Sequence, residues 1–438
     1  MRVTHLSLSD FRNYRSAEVS LDRGPNLVIG RNGQGKTNLA EAIAYFAMLG
    51  SHRVTSDSAL IRAGEDSAVA RMRVAVDDRD VLLEMQLNRD RANRAQINRN
   101  AAKPRELTRW FSCVVFAPED LSLVRGDPGI RRRFLDEAVV ARQPSFAGVI
   151  ADYERVVRQR TALLKSARGS ANRTAIDATL EIWDEQLADL GTRIMLARRA
   201  LVRSLAEPLR SGYAAIVQHD HEPRVSLMES VESALEKQGV SRETSHVESE
   251  ASQTVGSRGE GDSRPVRESG EGDVSRETSA VLSNAPGAED AEHLARVSRE
   301  TLLSRFRAAI ASVRRQEFER GVTLVGPHRD DALFELNGLP VKGYASHGES
   351  WSFALALRLA FASLLREESP SGDPVIILDD VFAELDVRRR NALMSEVARF
   401  EQVIVTAAVE EDVPAGEWNR VLIEAGRVVE GGGAHAEG

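Results

Sequence analysis

Residues 27–39 read LVIGRNGQGKTNL: an apolar run, a glycine-rich loop that ends in Lys-Thr, and the start of an amphipathic stretch. The loop from Gly30 to Thr37 fits G-x-x-x-x-G-K-[ST], and its flanks predict the strand before and the helix after that this pattern requires. Gly30, Gly33 and Gly35 let the main chain wrap closely enough for its N–H groups to face phosphate oxygens, and the helix N-terminus adds positive potential. On this reading Arg31, Asn32, Gln34 and Asn38 belong to the same nucleotide cradle. Lys36 reaches the β- and γ-phosphates of ATP, and Thr37 ligates Mg²⁺. A chance Gly-rich turn would lack these flanks, so the fold class is α/β with a phosphate-binding loop.

Working outward, residues 374–386, PVIILDDVFAELD, place an apolar strand before Asp379 and Asp380, at the carboxyl edge of a parallel sheet where phosphates sit. Asp379 is expected to hold the Mg²⁺ through water, and Asp380 to polarise the attacking water. An Asp reaches less far than a Glu, so slow hydrolysis is the expectation. Two acidic residues after a strand can simply cap a helix; the phosphate loop tips the balance toward chemistry.

Residues 345–361, ASHGESWSFALALRLAF, set a Ser-x-Gly-Glu turn at the head of a stretch that is apolar nearly all round. A hydroxyl, a bare main chain and a helix N-terminus meet there, all suited to an anion. The stretch resembles the signature motif of ABC-type ATPases, although transporters of that class carry L-S-G-G-Q. In that class the signature completes the site of a second subunit. The resemblance therefore implies that Ser346, Gly348 and Glu349 contact ATP held by another copy, and that a chain with one loop and one signature works as an ATP-dependent homodimer. Glu384 to Asp386 resembles the D-loop, which adds Asp386 to the nucleotide contacts. Thr406 stands where many such ATPases carry a switch His, and its role stays open.

Elsewhere the pattern fills in the architecture. Residues 1–30 alternate as two or three short strands, 69–87 read as a hairpin turning at an Asp-Asp pair, and 112–116 and 375–378 are buried strands. Residues 322–325, a pair turning at Asn337-Gly338, 403–406 and 421–423 supply further strands, and 302–320 a helix. Between 130 and 217 Gly and Pro are scarce, and Ile176, Leu180, Trp183, Leu187, Leu190 and Ile194 follow a coiled-coil seam. With Val149, Tyr153, Val156, Leu163 and the turn ARGSANR they predict a short antiparallel helical hairpin, either a projecting arm or a subdomain packed on the core. The expected boundaries are 1–129 and 301–425 for the two parts of an ATPase head, 130–230 for the helical subdomain, 231–300 for an insertion and 426–438 for a loose tail.

Composition bounds the class further. Hydrophobic residues at 42% and charged ones at 28% exclude collagen-like and disulfide-scaffold chains. Cys113 is the only cysteine, so no intrachain disulfide or cysteine zinc site forms. No charged start leads into an apolar run and no stretch of about 18 apolar residues occurs, so export and membrane insertion are unsupported and a cytoplasmic place is expected. The formal charge of −8 argues against a nucleic-acid partner only until it is located: residues 231–300 hold 15 acidic and eight basic side chains, nearly the whole excess. Residues 237–290 contain no aromatic residue and one Leu, which predicts disorder. The remainder is close to neutral. Arg89, Arg91, Arg94, Arg99, Lys103, Arg131, Arg132 and Arg133 are its candidates for phosphate contact.

The stretches FRNYRSAEVSLDRGPNLVIGRNGQGKTNLAEAI, VVFAPEDLSLVRGDPGIRRRFLD, LVGPHRDD, SHGES and LDDVFAELD occur in the order and approximate spacing of the RecF family, which the chain resembles over 1–225 and 302–425. That family is SMC-like: an ABC-type P-loop ATPase head without long coiled coils. The resemblance implies a DNA-binding protein of recombinational repair, replication restart and the SOS response. ATP closes a homodimer on duplex DNA beside a single-strand gap, assisting RecR and RecO in loading RecA, and slow hydrolysis resets it. Other readings are an ABC transporter ATPase subunit, which would need a signature nearer L-S-G-G-Q, and a nuclease-associated ATPase, which would need a further carboxylate cluster.

One feature falls outside all of these readings. Val-Ser-Arg-Glu-Thr starts at Val240, Val274 and Val297. Translated backward it admits GTTTCACGTGAAAC, which equals its own reverse complement and resembles the centromere-like partition site bound by the ParB segregation protein. Selection on the coding DNA would explain three copies to which a common structural role is hard to assign; chance repetition within a low-complexity stretch is the other reading.

Overall fold

The computed structural model describes residues 1–429 apart from 52, 55, 78, 168–172, 238, 240–287 and 370–371. The N-terminal alternation forms β1 (Arg2–Phe11), β2 (Tyr14–Ser20) and β3 (Gly24–Ile29), and α1 (Lys36–Met48) follows the glycine loop. The expected hairpin is β4 (Ser67–Val76) and β5 (Arg79–Asn88). The basic stretch after it makes a second hairpin, β6 (Arg94–Ile97) and β7 (Asn100–Ala102). Sequence reading missed that pair because its turn residues, Asn98 and Arg99, both adopt positive φ (50° and 66°) without the Asn-Gly signal that marks such turns.

The chain continues through α2 (Pro104–Leu107), β8 (Cys113–Phe116), α3 (Leu121–Arg125) and α4 (Pro128–Arg142) to two long helices, α5 (Phe146–Ala167) and α6 (Arg173–Val217). After β9 (Arg224–Met228) come α7 (230–237), α8 (Ala288–Arg320), β10 (Asp331–Leu336), β11 (Leu339–Pro340), α9 (Val341–Tyr344) and α10 (His347–Glu368). The last elements are β12 (Val375–Asp379), α11 (Val387–Val397), β13 (Gln402–Ala407), β14 (Asn419–Glu424) and β15 (Arg427–Val429).

One compact unit comprises Met1–Asp152, Ile194–Met228 and Asp330–Gly438. Its central sheet runs β15-β14-β3-β13-β12-β8, parallel except for β15. Strands buried on both faces read as unbroken apolar runs, and VIIL does so: Ile376 and Leu378 join a cluster with α4, α6 and α10, while Val375 and Ile377 join one with α1 and the antiparallel sheet β2-β1-β4-β5-β6-β7. α10 is buried nearly all round, from Ser350 to Leu365. Because β13 lies between β3 and β12, the glycine loop and the acidic pair emerge two strands apart at one sheet edge, with Thr406 in register between Val28 and Asp379.

The second unit comprises Tyr153–Arg193 and Glu229–Arg329, which divides the chain differently from the expected 130–230 subdomain: the hairpin's distal half goes with α8, and its base stays in the first unit. Leu164, Ala167, Leu180 and Phe318 form its small core. Arg160, fully buried, donates to Glu317 Oε1 at 3.0 Å, Asp184 Oδ1 at 2.7 Å and Thr323 Oγ1 at 3.1 Å. Here residues 322–325 are not the strand their β-branched composition predicts. Leu324 N donates to Glu317 Oε1 and the Thr323 carbonyl accepts from Arg329 Nε, both at 2.9 Å, so side chains take the peptide groups a ladder would use. The insertion is also narrower than 231–300, since α7 and the first turns of α8 occupy its ends. Residues 240–287, the turn 168–172 and the tail 430–438 lie outside the described residues.

Candidate nucleotide site

The loop is shaped by contacts that leave room only for glycine. At Gly30 a Cβ would stand 2.4 Å from the Ile423 carbonyl oxygen, so β3 and β14 meet main chain to main chain. At Gly35, φ is 119° and a Cβ would meet Tyr14 Oη at 2.7 Å. Asn13 of the β1–β2 turn and Tyr14 at the start of β2 hold the loop: Tyr14 Oη donates to Gly35 O at 3.0 Å, and Asn13 Nδ2 donates to Gln34 O at 2.9 Å. Burial pushes the Tyr14 phenol up, so it stays a neutral donor. Next to them Arg12 grips the fully buried Glu41 of α1 with two bonds of 2.8 and 2.7 Å. Sequence reading missed this support; the FRNY stretch was visible as a likeness, but nothing in its spacing assigned it to the loop.

Lys36 is 4% exposed, and its Nζ lies 3.4 Å from both Arg31 O and Asn32 Oδ1, inside the loop. These are long contacts for an ammonium, which suits a group whose stronger partner is an anion. Asn38 donates to Asn13 Oδ1 at 2.8 Å and accepts from Arg53 at 3.2 Å. The Gln34 side chain accepts from the amide of Ala425, which ties the loop to the β14–β15 turn; its expected place among the nucleotide contacts gains no support from that bond.

Across the sheet edge, Thr37 Oγ1 donates to Asp379 Oδ1 at 3.1 Å. Thr406 donates to the same oxygen at 2.6 Å and accepts from Asp380 N at 3.0 Å. Asp379 and Thr406 are 2% and 1% exposed. A hydroxyl and a buried carboxylate brought together beside a phosphate loop form the hard oxygen donor set that suits Mg²⁺. Asp380 adopts a left-handed φ of 55°, which breaks the line of β12. Thr406 thus braces both acidic residues, a use that its place in the sequence had left open.

A second cluster forms at the heads of α10 and α11. Ser346 Oγ accepts from Glu349 N at 3.2 Å and Glu349 Oε2 accepts from Ser346 N at 2.8 Å, a reciprocal cap. The bonds from Ser346 hold the Glu349 carboxyl below its ordinary value. Asp386 caps α11 through Arg389 N at 3.0 Å, and the Arg389 guanidinium reaches back so that a Cβ at Gly348 would stand 2.8 Å from its Nη1. Ser346, Gly348, Glu349 and Asp386 are therefore one surface, flanked by Tyr344 and Val387, 71% and 69% exposed. Among the described residues no hydrogen bond joins this surface to the phosphate loop.

Of the basic candidates, two are taken up internally. Arg89 donates to the carbonyls of Glu65, Ser58, Ile61 and Arg62, and Arg131, 5% exposed, grips Asp331 with bonds of 2.7 and 2.9 Å. These two arginines organise loops and are withdrawn as phosphate contacts. Arg132 also spends a donor on Asp330 O at 2.7 Å. No helix of the described residues is long and apolar enough to cross a membrane.

Residues 2–423 match the family model described as the RecF/RecN/SMC N terminal domain. Curated proteins named DNA replication and repair protein RecF are similar over nearly the whole chain. That of Leifsonia xyli subsp. xyli is 52% identical, covering 98% of this chain and 100% of that one; that of Clavibacter michiganensis subsp. michiganensis is 50% identical, covering 98% and 96%. A solved structure described as the recombination mediator protein RecF-ATPrS in the RecFOR pathway shares the fold, with a TM-score of 0.75 at 23% identity over 98% of this chain and 97% of that one.

Proposed function

The chain belongs to the RecF/RecN/SMC family and, within it, to the RecF proteins, and from that membership we propose that it is a DNA-bound ATP switch of replication and repair, acting in the cytoplasm. Lys36 binds the β- and γ-phosphates of ATP, Thr37 and Asp379 hold Mg²⁺, and Asp380 activates water for a slow hydrolysis. Mg²⁺ would supply charge neutralisation on the phosphate oxygens. The observation that carries the reading is the 3.1 Å bond between Thr37 and the buried Asp379, which brings the two halves of a nucleotide site together from residues 342 apart.

The separate surface of Ser346, Gly348, Glu349 and Asp386 supports the homodimer. It has the polar groups to meet a phosphate and two exposed apolar side chains, Tyr344 and Val387, and among the described residues no hydrogen bond ties it to the phosphate loop of its own chain. ATP closes two copies, the closed pair grips duplex DNA beside a single-strand gap, and RecR and RecO join it in loading RecA. The test is sedimentation with a non-hydrolysable ATP analogue. Wild type should dimerise, whereas Ser346→Arg should bind the analogue and stay monomeric; a surviving ATP-dependent dimer refutes the shared site. Binding to gapped duplex should weaken steeply as salt rises, the mark of phosphate contacts, and salt-insensitive binding would count against the DNA grip.

A further inference from the structure

β8 is the last strand of the central sheet, and among the described residues no further strand pairs with its outer side. Val375 N donates to Ser112 O at 3.0 Å, and the parallel register sets Val375 opposite Cys113, Ile376 opposite Val114 and Ile377 opposite Val115. In a parallel ladder this phase turns the peptide groups of Val114 toward β12 and those of Cys113 and Val115 away from it. Cys113 and Val115 are only 9% and 6% exposed. Two N–H and two C=O groups thus sit at a sheet edge, shielded from open water and unmatched by main chain among the described residues, although such groups are nearly always paired in folded proteins.

That edge opens into a cavity of about 360 Å³. Met48 and Leu49 at the end of α1 wall it on one face of the sheet, Phe134 and Ala141 of α4 and Phe361 of α10 on the other. Its polar residues are mostly spent. Arg358 donates to Asp120 Oδ1 through two bonds of 3.0 and 2.7 Å, and Asp136 accepts from Arg198 at 2.9 and 2.8 Å. The Glu137 side chain, which also lines the cavity, makes no hydrogen bond or ion pair among the described residues. Glu137 is exposed at the mouth of the cavity, where its carboxylate can meet a cationic side chain from outside the fold. Arg105 borders the same cavity without pairing to it.

We propose that this cavity is a docking groove for an extended peptide of a partner protein, which adds as a strand along β8 through the peptide groups of Cys113 and Val115 and brings a Lys or Arg side chain to Glu137. Only an extended main chain presents donors and acceptors at strand spacing. A compact apolar ligand would fill the walls and leave the four edge groups unmet. Pro is excluded from the docked positions, and apolar side chains at alternate positions would face the walls.

The probe is the hexapeptide acetyl-Val-Lys-Val-Ile-Lys-Val-amide, titrated into the full chain by calorimetry, with hydrogen exchange read at single residues. Binding should slow exchange at the Cys113 and Val115 amides by at least about tenfold and leave those of β12 unchanged. The same peptide N-methylated at alternate amides should fail to bind, a control that leaves the protein untouched. Glu137→Gln should weaken binding about tenfold, equivalent to ~1.4 kcal/mol, while ATP affinity is retained. The proposal is overturned by no binding up to millimolar peptide, by equal affinity of the N-methylated peptide, or by unprotected edge amides at saturation. It is equally overturned if those two amides already exchange as slowly as β12 without peptide.

Discussion

At the residue scale the site turns on a few side chains whose neighbours set their roles. Lys36 is buried in the loop with only long contacts to Arg31 O and Asn32 Oδ1, which agrees with the proposed phosphate partner. Hydrogen bonds to charged groups contribute about 1.5–3 kcal/mol, and Lys36→Ala should weaken ATP at least about tenfold in a binding titration. Unchanged affinity would remove the loop assignment. Asp380 stands differently. Its amide is fixed by Thr406 and its φ of 55° turns it out of β12, while Thr37 bonds to its neighbour Asp379. Asp380→Asn should therefore keep ATP binding and slow single-turnover hydrolysis by about 10²–10⁴-fold, the usual contribution of a positioned base. If binding were lost in a folded protein, Asp380 would belong to the metal or to the structure. The meeting of Thr37 with Asp379 was legible because each motif follows a fixed punctuation, glycines before Lys-Thr and an apolar run before Asp-Asp. Asn13, Tyr14 and Arg12 were not, since what they hold lies across a turn and no local spacing encodes it.

At the element scale, the parallel strands and the helices after them were readable from periodicity, and two of the departures share a cause. Residues 322–325 look like a strand but are captured by Arg160, Glu317 and Arg329, so tertiary charge pairs override β-branched composition. The same principle makes Arg131 a joint and not a phosphate contact: on α4, it holds Asp331 at the start of β10 through two bonds and also donates to Gly126 O at 3.0 Å. Partial burial disfavours the Asp331 charge, but the Arg131 bond and the Ala332 amide outweigh it and hold the carboxyl below its ordinary 3.8. A carboxylate lowered in the folded state adds stability above its unfolded value, and that stability is lost as pH falls through the folded one. Arg131→Met should thus cost about 1–3 kcal/mol at neutral pH and flatten the acid limb of the stability curve below pH 3.8. Denaturant melts at neutral and acid pH give the comparison. A variant whose deficit is as large in acid as at neutral pH would show that Arg131 acts through packing alone.

At the scale of the whole molecule, the first unit takes Ile194–Met228 from the middle of the chain as well as Met1–Asp152 and Asp330–Gly438, a division that the phosphate loop and the Asp-Asp strand, at opposite ends of the sequence, did not spell out. The acidic stretch between α7 and α8 contributes neither motif nor described element, and its charge alone had hidden the near-neutral balance of the rest. Residues 231–300 do hold the starts of the three pentapeptide copies, at Val240, Val274 and Val297. The first two copies lie outside the described residues, whereas the third runs within α8, where Glu300 and Thr301 are exposed. A motif that a protein partner reads would need one presentation, and a helix interior is a poor place for it. The coding DNA offers a reason indifferent to structure. Each copy admits the palindrome GTTTCACGTGAAAC, and a palindrome presents the same face to both halves of a symmetric DNA-binding dimer. The expected nucleotide sequence keeps that palindrome in all three copies, against the many synonymous spellings of Val, Ser, Arg and Thr. Recoding the copies synonymously should abolish ParB binding to this stretch of DNA in a mobility-shift assay and leave ATP-dependent dimerisation of the protein unchanged. Copies already broken by synonymous codons, or a recoded stretch that still binds ParB, would return the repeat to the protein and require a peptide-level role for it.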